Sequence, residues 1–284
     1  PTGVSIQKTT MVFSLARQRF EQEVSQPDDR IDLAVAALCL AQEEYPELEI
    51  EEYLNALDTM AEEVRERLPV ESYPLKIIGA INRYLYEDLG FVGNTREYYD
   101  PRNSFLNDVL QRRTGIPISL ALVYLEIAKR IEFPTIGIGM PGHFLLRPDF
   151  PESGIYIDAF VGGEVLFPED CHQRLNQIYG RSVEWRPEFL PPVSSRQFLA
   201  RMLGNLKGIY LQRQDAPRTL AAIDRILLLF PDSPPELRDR GVLHFYAGHK
   251  AEAKRDLRRY LQLEPDAEDA PGIIRWLNEL DGGS

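Results

Sequence analysis

Residues 115–130 read Gly115-Ile-Pro-Ile-Ser-Leu-Ala-Leu-Val-Tyr-Leu-Glu-Ile-Ala-Lys-Arg130, and this stretch decides the architecture. Thr114-Gly115-Ile116 breaks the preceding run. Pro117 suits a first helical turn, where its missing N–H would be unpaired anyway. From there to Leu125 the segment is apolar nearly all round, the pattern of a helix buried at the centre of a domain. After Pro134 the texture changes. Thr135-Ile-Gly-Ile-Gly, His143-Phe-Leu-Leu-Arg and Ile155-Tyr-Ile-Asp-Ala-Phe are short, β-branched or aromatic, and bounded by Gly and Pro. They predict strands of a small antiparallel sheet. The expectation is an α+β core, mainly helical, with one central helix followed by a sheet.

Upstream, residues 12 to 70 read as helices. Leu33, Ala36, Ala37, Leu40 and Ala41 recur at helical spacing after Asp28-Asp29, which suits a helix N-terminus. Pro46 breaks that run. Tyr53, Leu54, Leu57, Met60, Ala61, Val64 and Leu68 mark an amphipathic helix with a Glu-rich outer face. Residues 74 to 89 form a third run, stopped by Gly90. A turn-rich loop follows, Gly93-Asn-Thr-Arg-Glu-Tyr-Tyr-Asp-Pro-Arg-Asn103, and then a helix from Ser104 to Arg113. Within the loop Asn94, Asp100 and Asn103 are candidates for lining a cleft. The competing reading is turn chemistry, since Asn and Asp bond their own backbone.

Downstream, residues 185 to 195 hold Pro187, Pro191 and Pro192 and read as a linker. The tail repeats itself. Leu203, Leu206, Tyr210, Ile223, Ile226 and Pro231 are matched 34 residues later by Leu237, Arg240, His244, Leu257, Tyr260 and Pro265. That period belongs to tetratricopeptide repeats. Gly241, Gly248, Ala253 and Pro265 make the second copy the better one; the first carries Lys207 and Thr219 opposite Gly241 and Ala253. Residues 272 to 280 would cap the stack. The expected organisation is a helical region at 1–77, a core at 78–190 and helical repeats with a cap at 191–284.

Composition narrows the function classes. The 284 residues carry a formal net charge of -12, which disfavours binding to a phosphate backbone. Arg255, Arg258 and Arg259 read as a solvated helix face. No stretch reaches the ~18 apolar residues of a membrane span. The N-terminus lacks a basic region followed by an apolar one, although it begins with Pro1 rather than Met. The chain therefore reads as cytoplasmic. Of the two cysteines, Cys39 lies in an apolar helical run and Cys171 merely adjoins His172; neither belongs to a zinc-like CxxC pair. Gly137-Ile-Gly and Gly162-Gly163 are too short and misplaced to cradle phosphate. No metal or cofactor is called for.

The candidate chemistry lies in an ordered set, Ser119, His143, Asp158. Ser119 falls in the first turn of the central helix, where the dipole favours a developing anion. His143 opens one strand and Asp158 ends the next, so the two can face each other across a hairpin. A carboxylate beside an imidazole fixes its tautomer and supports its charged form.

This order of nucleophile on a helix, then His and Asp on strands, resembles the transglutaminase-like superfamily. Gly115-Ile-Pro-Ile-Ser-Leu-Ala, Pro141-Gly-His-Phe and Ile157-Asp-Ala-Phe-x-Gly-Gly resemble its SirB-type bacterial branch, as do Tyr99-Asp-Pro-Arg-Asn-Ser and the tail repeats. The resemblance spans nearly the whole chain. It implies a papain-like core fold and no particular reaction. Catalytic members place a Cys at the start of the central helix; here no Cys lies between Cys39 and Cys171, and Ser119 or Pro117 occupies that region. A thiol is partly ionised near neutrality, whereas a serine needs an aligned base and an oxyanion hole. The favoured expectation is a non-catalytic protein that binds a protein or peptide partner, with no appreciable transglutaminase or peptidase turnover. The alternative is an acyl-transfer enzyme or amide hydrolase built on Ser119, His143 and Asp158.

Overall fold

The computed structural model describes residues 15–70, 73–150 and 154–282; residues 12–14 of the expected helical region lie outside these. Helix α1 covers residues 15–24 and buries Ala16, Phe20 and Val24. Helix α2 (Leu33–Glu44) starts at Asp32, whose side chain accepts the Val35 N–H. This corrects the assignment of the start to Asp28-Asp29. Asp28 instead accepts the backbone N–H groups of Ser195 and Arg196, both at 2.9 Å, and so serves a different helix end. Helix α3 (Ile50–Arg65) buries Leu57, Ala61 and Val64 at helical spacing. Helix α4 (Pro74–Asn82) runs into a wider turn over Arg83–Asp88, closed by the Leu89 N–H on Tyr84 O at 3.0 Å.

Two short strands frame the polar loop. β1 (Val92–Gly93) pairs in parallel with β2 (Thr114–Gly115), and helix α5 (Leu106–Arg112) lies between them in sequence. The break expected at 114–116 is thus a strand that fixes where the next helix begins. That helix, α6 (Pro117–Arg130), is buried along nearly its whole length, Pro117 through Tyr124 included.

The sheet has the order β3-β4-β5-β6, with every neighbour antiparallel. Its strands are β3 (Thr135–Ile138), β4 (Leu145–Pro148), β5 (Tyr156–Asp158) and β6 (Glu164–Leu166). β4 begins two residues later than expected, so His143 sits in the bend before it. Helix α7 (Pro168–Tyr179) then packs Cys171 and Leu175 with Ile138, Met140, Leu145 and Leu166 in one core cluster. The 185–195 segment is held to the edge of β3 rather than loose. Gly139 N–H donates to Pro191 O at 2.9 Å and Val193 N–H to Gly137 O at 3.0 Å.

Helix α8 (Ser195–Gln212) follows, and the chain divides within it into two compact units, Pro1–Met202 and Leu203–Ser284. In the second unit α9 (Ala216–Leu229), α10 (Pro234–Tyr246), α11 (Lys250–Leu263) and α12 (Ala270–Gly282) share a core of Ile223, Leu227, Leu237, Leu257, Tyr260, Ile273 and Leu277. Pro231 and Pro265 each stand two residues beyond a helix end. Arg255, Arg258 and Arg259 are ion-paired with Asp256, Asp281 and Asp232. No helix among the described residues is long and apolar enough to cross a membrane.

Candidate functional site

Asp158 is the last residue of β5 and is fully buried. The ladder Leu146↔Ile157 carries the chain so that the bend before β4 lies beside it. His143 Nε2 stands 2.7 Å from Asp158 Oδ2. With the carboxylate accepting, Nε2 carries the proton and Nδ1 is the free lone pair of the neutral ring. The other carboxylate oxygen, Oδ1, accepts the Phe160 and Val161 N–H groups at 3.0 and 3.2 Å and starts the Ala159–Val161 turn.

Two arginines that the sequence reading did not single out complete this environment. Arg174, from α7, pairs with Asp158 Oδ2 and with Glu164 Oε2, the latter at 2.7 Å. The same carboxylate oxygen therefore meets both a guanidinium and the imidazole. Arg201, from α8, donates through Nη2 to the Met140 carbonyl at 2.7 Å and to the His143 carbonyl. Its guanidinium also lies over the Phe144 ring, 5.4 Å from the centroid. Burial holds Arg201 below the usual arginine range, opposed by nearby Tyr98. Nothing local marks these two in the sequence, because each reaches its partner from another element. An aromatic edge runs outward from the imidazole: His143 to Phe160 at 6.0 Å, Phe160 to Tyr98 at 6.2 Å, Tyr98 to exposed Tyr99 at 5.3 Å.

Ser119 is engaged elsewhere. Its Oγ donates to Asn103 O at 2.5 Å, with Ile116 O a further acceptor at 3.2 Å, and it accepts the Ile116 N–H at 3.0 Å. It is fully buried. A Cβ on Gly115 would come within 2.6 Å of that hydroxyl, so the glycine makes room for it. Ser119 makes no hydrogen bond to His143 among the described residues. Pro117, the first residue of α6, brings no nucleophile. Both thiols are buried: burial pushes Cys39 up to about 11 and Cys171 up to about 12.

The loop residues are likewise engaged. Asn94 accepts the Glu97 N–H at 2.9 Å and donates to Asn103 Oδ1 at 3.1 Å. Asp100 accepts the Arg102 N–H at 3.0 Å and pairs with the Arg102 guanidinium. Asn103 donates to the carbonyls of Glu97 and Tyr98 at 2.7 and 3.2 Å, while its own carbonyl holds Ser119. This loop is thereby tied to the first turn of α6.

A buried helix, an antiparallel sheet bearing an imidazole–carboxylate pair and a run of helical hairpins define the class: a transglutaminase-like core followed by tetratricopeptide-type helices. The chain belongs to the transglutaminase-like superfamily, which matches residues 51–204, and residues 206–278 match the tetratricopeptide repeat. It is 39% identical to a UPF0162 protein of Xylella fastidiosa (strain 9a5c) over 257 residues, 89% of this chain and 91% of that one. A UPF0162 protein of Vibrio cholerae is 32% identical over 217 residues, 76% and 80% of the two chains. Human F-box only protein 21 is 33% identical over 189 residues, which are 61% of this chain and 28% of that protein.

Proposed function

We propose that this protein is a non-catalytic member of the SirB-type branch of its superfamily and acts by binding a protein or peptide. The observation that carries this reading is the state of Ser119. A hydroxyl that donates to one buried carbonyl and accepts from a backbone N–H is neither free nor aligned for attack. The sharing of Asp158 between His143 and Arg174 supports the same reading, because the carboxylate is partly neutralised before an imidazolium would draw on it. Two separate free thiols fit the cytoplasmic setting expected from the sequence.

The binding surface we favour is a groove of about 370 Å³ in the second unit. Leu211, Val242, Leu243, Ile273 and Trp276 supply apolar walls, and Arg238, Asp239 and Asp269 supply charge beside them. Such a groove suits an apolar side chain presented by a peptide with polar flanks. Stacked helical hairpins use surfaces of this kind for partners. Selection of peptides from a displayed random library on the full chain tests this. Enriched sequences should bind Val242→Glu at least about tenfold more weakly. Failure to enrich any peptide, or equal binding by Val242→Glu, would count against the reading.

The alternative, an acyl-transfer enzyme or amide hydrolase, draws support from the 2.7 Å His143–Asp158 contact alone. It requires Ser119 to leave both of its backbone partners and meet the imidazole.

A further inference from the structure

The chain has four histidines, and two of them meet each other within the second unit. His244 lies in the last turn of α10 and His249 immediately precedes α11. Their Nδ1 atoms are 3.2 Å apart. The backbone builds this contact. Gly248 adopts the left-handed conformation at φ 77°, its N–H donates to Phe245 O at 3.1 Å, and the His249 N–H donates to His244 O at 2.9 Å. That double closure brings together the side chains at its two outer positions, where an apolar pair commonly sits. Here both positions carry imidazole.

We propose that His244 and His249 form a two-imidazole chelate for a divalent transition-metal ion of the zinc and copper class. The two Nδ1 atoms face each other at 3.2 Å, a separation that suits either one proton shared between neutral rings or, with both protons on Nε2, a cation held by the two lone pairs. A metal bound to both at ~2.1 Å would see an N–metal–N angle of about 100° across that separation, near the tetrahedral value. Imidazole nitrogen is the donor such ions favour. No third His, Cys, Asp or Glu among the described residues completes a protein cage, so water or a donor from a bound molecule fills the remaining positions. The other two histidines are committed elsewhere, His143 to Asp158 and His172 Nε2 to the Val183 carbonyl at 2.7 Å.

The test is a calorimetric titration of the untagged full chain with zinc chloride, with imidazole nitrogen spectra recorded in parallel. The expected result is one ion per chain, with shifts at His244 and His249. His249→Gln, an exposed substitution, should weaken binding by about tenfold or more, as should His244→Gln, while His172→Gln leaves it unchanged. Absence of binding by the wild-type chain overturns the proposal. So does binding that His249→Gln does not alter, or zinc-induced shifts confined to His143 or His172.

Discussion

At position 119 two roles were open to a serine in a first helical turn, nucleophile or backbone-bonded hydroxyl. What separates them is Asn103 O, 16 residues away in sequence, and no local pattern announces that bond. Ser119→Ala should therefore lower stability by about 1–3 kcal/mol through the unpaired Ile116 N–H and Asn103 carbonyl. Urea unfolding measures this, and an unchanged midpoint would contradict the capping role. Asp158 holds an imidazole, a guanidinium and two backbone N–H groups while fully buried. Asp158→Ala should cost about 3–5 kcal/mol, since it strands Arg174 and His143. Asp32 supplies a pH test. Burial works against its ionisation, but the Val35 N–H and the Lys129 ammonium outweigh that and hold its carboxyl below 3.8. A depressed acid stabilises the fold fully above its unfolded value and loses that contribution as pH falls through the folded one. The thermal midpoints of wild type and Asp32→Asn should then converge below about pH 4. A gap that persists unchanged into that range would contradict the cap.

Elements differ in how far their sequences reveal them. α6 is legible because a long apolar run after Pro117 admits few other readings, and α8 to α12 are legible because the 34-residue period repeats the same packing twice. β1, β2 and β6 have two or three residues each, too few for a period-two pattern. α7 buries only Cys171 and Leu175, so its apolar stripe is too thin to register. The start of β4 moved because the Met140–His143 turn, closed by the His143 N–H on Met140 O at 3.1 Å, takes two residues from the strand. The close approach of α10 to α11 can be tested directly. A Cβ at Gly241 would meet the Leu257 side chain at 2.7 Å and its backbone N at 3.2 Å. Gly241→Ala should destabilise the second unit by about 1–3 kcal/mol in denaturant titrations. A neutral effect would mean that the helices have room to part.

For the molecule as a whole, membership of the superfamily and the mainly helical α+β architecture follow from the core and the repeats together. The buried α6 run and the 34-residue period made the fold class and the repeats readable. The chemistry was less so, because it depends on which side chain meets which across elements: Arg174 and Arg201 come from α7 and α8 to meet groups on the sheet side. The central proposal is that, among the described residues, no nucleophile serves the His143–Asp158 pair. Its most direct measurement is covalent labelling of the folded full chain with a fluorophosphonate and, separately, with iodoacetamide, with adducts mapped by mass spectrometry. The predicted result is no adduct at Ser119, and labelling of Cys39 and Cys171 only after unfolding. Stoichiometric labelling of Ser119 that disappears in His143→Ala would contradict the claim and establish a working triad.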